Sequence, residues 1–225
     1  MTFAVLGRCE VRGQAGVAIA TSSIAIGARC PFVLSGVGAA STQNVTDPRL
    51  GPALLELMAE GASPREAIDM LTAGRPDIEH RQLAAVDLEG RTAHYTGAAA
   101  LGISAGAEGA GCVAVGNLLA NEAVPAAMAA GFEADDGAYL ADHLMAGLRA
   151  GLEAGGEAGD VHSAALLIAG TESWPVIDLR VDWSDADPIG ELAALWRAFE
   201  PQMDDYVTRA LNPSAAPSYG VPGDE

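Results

Sequence analysis

The chain has 225 residues, half of them hydrophobic, which is enough for one sizeable core, and its net charge of −18 arises from 30 acidic residues against 12 basic ones. All 12 basic residues are arginine, so mechanisms that need a lysine ε-amine (a Ser–Lys dyad, a Schiff base, a pyridoxal phosphate anchor, a P-loop) are closed to it. So acidic a chain has little with which to neutralise a phosphate backbone, and its apolar runs are broken by Gly and polar residues before membrane-spanning length; neither nucleic acid nor a membrane is an expected partner.

In chain order, "TFAVLGRC" and "GVAIATS" read as two strands joined by a turn around Gly13, a β-hairpin. The start lacks the basic segment and cleavage site of a signal peptide. "SIAIGA" and "FVLSGVGAAST" read as two further strands, and their continuous apolar character suggests sheets buried on both faces. Two helices follow, "PRLGPALLELMAEG" and "PREAIDMLTAG", the second with Ser63 as N-cap, Pro64 at its first position and Glu66 three residues on. "RQLAAVDL" and "RTAHYTG" form a second hairpin around "EG", and "GCVAVGN" is another strand. Two Ala-rich helices, the strand pair "SAALLIAG" and "PVIDLRVD", and a closing helix broken at Pro201 complete residues 1–211, read as one domain. Residues 212–225 are rich in Pro, Ser and Gly and are expected to be loosely ordered. The alternation of strands and helices suits a four-layer αββα sandwich; a two-layer α+β sheet is the alternative that periodicity leaves open.

The candidate chemistry gathers at the N-terminus. In a hairpin turning near Arg12 and Gly13, Thr2 lies beside Ser22 and Ser23, within a residue of register. If Met1 is removed, the α-amine of Thr2, with a reference pKa of about 8, is a usable general base, and threonine with its own amine is an activated nucleophile. The residues alone leave Thr2 either as such a nucleophile or as the first residue of a strand.

The segments "TFAVLGR", "STQNVTDPRLGP", "RQLAAVDLEGRTAHYTG", "GNLLANEAV" and "DLRVD…DPIGEL" together resemble the bacterial and archaeal family known as domain of unknown function 1028, from Thr2 to about Leu195. That family is grouped with the N-terminal nucleophile hydrolases. The resemblance implies the αββα sandwich and an amide-cleaving site; no cofactor or metal is expected. It makes Thr2 the nucleophile and Ser22 the residue that orients its amine. It puts the oxyanion donors near Ser41, Thr42 and Gln43, with Asn117 either a further oxyanion or substrate donor or a turn residue after its strand, and Arg180 and Asp182 either substrate contacts or an ion pair or turn lock at a strand end. The sequence departs from the family at Val115 before "GN", at His162 before "SAALL" and in "AAALGISAG".

Other motifs point nowhere sharper. The four histidines show no metal-ligand spacing; His94, on a strand, is either the histidine that meets a substrate or a satisfied structural one. "GVGAAS" lacks the third glycine of a dinucleotide fingerprint, and no GxSxG elbow is present. Cys9, Cys30 and Cys112 are odd in number and widely spaced, and read as free thiols of a reducing cytoplasm. The expectation is thus a cytoplasmic N-terminal-threonine amidohydrolase for a small amide or peptide-like substrate. The rival is a small-molecule-binding or scaffold protein that keeps the fold without the reaction. Ala- and Leu-rich helix faces would suit a homodimer.

Overall fold

The computed structural model describes residues 1–135 and 137–223. In the first sheet the strands are Thr2–Cys9 (β1), Gln14–Thr21 (β2), Ala105–Gly109 (β7), Cys112–Asn117 (β8), Ser163–Ala169 (β9) and Pro175–Val181 (β10), ordered β10-β9-β2-β1-β8-β7. In the second they are Pro31–Leu34 (β3), Gly38–Asn44 (β4), Arg81–Asp87 (β5) and Thr92–Thr96 (β6), in sequence order. Every neighbouring pair in both sheets is antiparallel.

The apolar runs are continuous because each central strand is covered twice. On the six-stranded sheet, Phe3, Val5, Ala18 and Ala114 face the helices Val124–Ala134 (α3), Leu140–Glu153 (α4) and Pro188–Phe199 (α5), through Met128, Phe132, Leu144, Leu148 and Leu192. The alternate residues Leu6, Val17, Ile19, Val113 and Val115 meet Ala39, Ala84 and Val86 of the second sheet. The far face of that sheet, with Ala40, Leu83 and Ala85, packs on Leu50–Ala59 (α1) and Pro64–Thr72 (α2) through Leu54, Leu55 and Ile68. The fold is a four-layer αββα sandwich. Small residues set its spacing: Gly7 lies under the ring of Phe132, where a Cβ would sit 2.3 Å from Cε2.

Local signals account for most boundaries. Ser63 and Glu66 form the reciprocal capping box that starts α2. The closing helix is interrupted at Glu200–Gln202, around Pro201, and resumes as Met203–Leu211 (α6).

Two expectations are corrected, and one strand is added. "SIAIGA" is no strand: Ala25 adopts a left-handed conformation (φ 53°), and Ile26–Ala28 form a 3-10 turn that carries the chain from one sheet to the other. "FVLSGVGAAST" is two strands, because Ser35–Val37 form a turn with Gly36 at φ 74°. Ala105–Gly109 is an edge strand that its Ala- and Gly-rich sequence does not announce. In the C-terminal stretch, Arg209 donates to the carbonyls of Pro217 and Ser218 and stacks 4.0 Å from the Tyr219 ring, which holds this part of the tail against α6.

Candidate active site

One end of the six-stranded sheet carries a row of polar side chains where apolar ones would continue the pattern. Thr2 pairs with Asn117 on β8, and Thr21 on β2 pairs with Ser163 on β9. The β1–β2 register, Phe3 opposite Ala20, brings Thr2 and Thr21 side by side, with Oγ1 atoms 3.2 Å apart. Directly paired residues share a face, so Asn117, Thr2, Thr21 and Ser163 form a line across four strands, pointing between the sheets. All four are buried. Both threonine hydroxyls donate to the carbonyl oxygen of Met1, that of Thr2 at 2.5 Å. Ser163 Oγ donates to Ser23 O at 2.6 Å and accepts from Ile26 N at 3.2 Å, which ties the connecting turn to the sheet.

The second sheet answers with its own buried amides. Gln82 on β5 lies at the centre: its Oε1 accepts from Gln43 Nε2 (2.8 Å) and Asn117 Nδ2 (3.1 Å), while its Nε2 donates to Gly116 O (2.9 Å) and Thr96 Oγ1 (3.0 Å). The bonds to Asn117 and Gly116 cross between the sheets and hold Asn117 in one orientation, while those to Gln43 and Thr96 run along the second sheet. Its Oδ1 is buried without a partner, an acceptor left open beside Thr2.

Around the end of the sheet, towards α4 and α5, lies a cavity of about 500 Å³ lined by Glu157, Asp160, His162, Asp185 and Asp187 with apolar residues between them. It adjoins the N-terminus: a Cβ on Gly159 would stand 3.0 Å from Met1 Cε. Glu157 is only 4% exposed, and neither carboxylate oxygen is in hydrogen-bond geometry with any group. Burial pushes its carboxyl up to about 7. The nearby Ser22 backbone N–H, the Met1 ammonium, the Ser22 hydroxyl and His162 pull it back only partway.

The expected site residues divide accordingly. Thr2, Asn117, Ser41 and Gln43 are brought to the space between the sheets; Ser41 Oγ donates to Gln43 Oε1 at 3.3 Å. Ser22 is corrected: the hairpin register puts Thr21 opposite Thr2, and Ser22 lies one step beyond, half-buried near Glu157. Thr42 is corrected too. Strand alternation turns it with Ala40 towards α1, and its Oγ1 is bonded to Asp47 O at 3.3 Å, so it faces away from Thr2. Ser23 is exposed in the turn. His94 is at the far edge, 3.2 Å from Glu108. Arg180 pairs with Asp178 at 2.7 Å, and Asp182 is exposed, its carbonyl accepting from Ala25 N at 2.9 Å. None of these hydrogen bonds or ion pairs reaches a side chain of the Thr2 row. Thr21, Gln82, Ser163 and Glu157 are new to the site; only Thr21, the last residue of its apolar run, carried a local signal.

Among the described residues no helix is long and apolar enough to cross a membrane. No curated protein matches the chain in sequence. The crystal structure of protein SPO2555 from Silicibacter pomeroyi, assigned to the DUF1028 family model, is similar with a TM-score of 0.84 and 29% identity over 91% of this chain and 89% of that one. Anbu (ancestral beta-subunit) from Yersinia bercovieri is similar at a TM-score of 0.43 and 10% identity, over 90% and 96% of the two chains, a likeness too slight to bear on chemistry. Residues 2–192, which contain every strand and every side chain of the polar row and cavity, match the model described as "Family of unknown function (DUF1028)". The chain therefore belongs to the DUF1028 family.

Proposed function

We propose that the protein is an N-terminal-threonine amidohydrolase acting on a small amide or peptide-like substrate after Met1 is removed. The observation that carries this reading is the buried Thr2, 3.2 Å from Thr21 Oγ1 and opposite Asn117. Loss of Met1 deprives both threonine hydroxyls of their shared acceptor and leaves Thr21 Oγ1 beside the new α-amine. That amine takes the proton of Thr2 Oγ1 as the oxygen attacks the amide carbon. The resulting ammonium gives its proton to the leaving nitrogen as the C–N bond breaks, and the acyl group stays on Thr2 as an ester. The amine then deprotonates water, which attacks the ester and releases the acid, returning the proton to Oγ1. Asn117 Nδ2 has a second hydrogen beyond the one given to Gln82, available to an oxyanion, and its open Oδ1 accepts from the ammonium.

Intact mass of natively terminated protein after exposure to an electrophilic β-lactone tests the mechanism. The expected product is one methionine lighter and carries one lactone, and Thr2→Ala forms no adduct. Met1 retained, with no adduct, would sink the reaction and leave a fold used for binding. Thr21→Val keeps the shape and removes the hydroxyl; adduct formation is expected to slow by about tenfold to a hundredfold while Met1 is still lost. An unchanged rate would remove Thr21 from the mechanism.

A further inference from the structure

The cavity beside Met1 has a composition the Thr2 chemistry does not use. Four carboxyl groups line it, from Glu157, Asp160, Asp185 and Asp187, and no arginine does. Asp187 is engaged as the N-cap of α5, its Oδ1 accepting from Gly190 N at 2.8 Å, so the positive end of that helix is answered within the protein. His162 is held through Nδ1, 3.0 Å from Ser184 O, with its ring stacked on Trp183 at 4.3 Å. The C-terminal end of α4 contributes Leu152 and Gly155 to the wall, and with them the negative end of its dipole. Of the four, Glu157 alone is buried, and no hydrogen bond of good geometry reaches either of its oxygens among the described residues. A buried carboxylate is costly unless something pairs with it; Ser22, the Met1 ammonium and His162 offset that cost only in part, and no ion pair completes it among the described residues. Leu152, Val161, Pro188 and Ile189 add apolar wall suited to an alkyl stem.

We propose that this cavity is the specificity pocket of the same active site and takes a cationic group, an alkylammonium or alkylguanidinium, paired with Glu157. The substrate is then a small amide carrying such a group. Met1 lies against Gly159 at the cavity wall, so its removal opens the pocket towards the amine of Thr2. The reaction rests on the N-terminal-threonine reading; the binding does not.

Titration calorimetry with agmatine as probe, and N-butylurea as its uncharged counterpart, separates the two. It is run on natively terminated protein and on Thr2→Ala and Glu157→Gln, each checked by mass for Met1. Agmatine is expected to bind wild type and Thr2→Ala within twofold of each other and at least tenfold more weakly to Glu157→Gln, with N-butylurea bound at least tenfold more weakly than agmatine to wild type. Equal binding of the two probes, no binding of agmatine to wild type, or an unchanged affinity in Glu157→Gln would overturn the pocket. A lactone adduct on Thr2 without agmatine binding would refute the pocket alone. Glu157-dependent binding without an adduct would refute the hydrolase reading alone.

Discussion

Glu157→Gln is expected to make the protein more stable by roughly 3 kcal/mol at pH 8, with Met1 in place. The estimate follows from a carboxyl raised from its ordinary 4.5 to about 7, at about 1.4 kcal/mol for each pH unit. The sign follows from which state holds the proton. Below pH 4.5 the side chain is protonated in both the folded and the unfolded chain and contributes no penalty. Between 4.5 and 7 the unfolded chain releases a proton that the native state keeps, so stability falls as pH rises. Above 7 the native carboxylate is ionised as well, and the penalty is full and constant. Glutamine has the shape of the protonated side chain and never ionises. The gap between variant and wild-type stability should therefore open from near zero at pH 4.5 to its full size at pH 8, about 6–12 °C in melting temperature for a chain of this length. Urea melts at five pH values read it directly. Parallel curves would mean that Glu157 finds a partner in solution. The expected gain also separates binding from folding, since a variant that is more stable but no longer takes agmatine has lost a contact and not its structure. An acid whose burial is expected to cost stability fits a group kept for binding.

The layers of this protein were legible in its sequence because they follow from patterning. Runs such as "FAVLG" and "AALLIA", with no polar residue in them, are explained by sheets covered twice. The same feature hid the site. In a half-exposed strand the polar positions reveal which residues share a face; in "GAASTQN" both faces are buried, so nothing local says that Ser41 and Gln43 turn towards Thr2 while Thr42 turns towards α1. A one-residue step in the hairpin exchanged Ser22 for Thr21 for the same reason. Gln82 and Glu157 lay further out of reach. Gln82 reads as an ordinary strand residue in "RQLAAVD", and its role arises because β5 crosses β8 between the sheets. Glu157 sits in the glycine-rich "AGGEAGD", where an acid suggests a solvated loop; the isolated bridge from Leu119 to Glu157 draws that loop against the sheet and buries the carboxyl.

Gln82→Ala is expected to be the more damaging change, destabilising the fold by about 3–5 kcal/mol. The side chain is fully buried and is the shared partner of Gln43, Asn117, Thr96 and the carbonyl of Gly116. Truncation removes five hydrogen bonds at once, counting the long one from Nε2 to Ala105 O at 3.4 Å. More seriously, it strands amide donors and a strand carbonyl in the dry space between the sheets, where each orphaned group costs about 1–3 kcal/mol. Water entering the vacated volume would offset part of this, which keeps the figure below the simple total. Gln43→Ala removes only the bonds to Gln82 Oε1, Ser41 and Val115 O, and leaves Gln82 bonded to Asn117, so a smaller loss of about 1–2 kcal/mol is expected. The ordering of the two variants in a denaturant melt is the decisive readout. If both lose the same amount, the cluster is a set of independent pairs and Gln82 is not its centre. If Gln82→Ala loses more, the brace between the sheets is what holds Asn117 opposite Thr2, and lactone labelling of Thr2 should slow in that variant at temperatures where it remains folded.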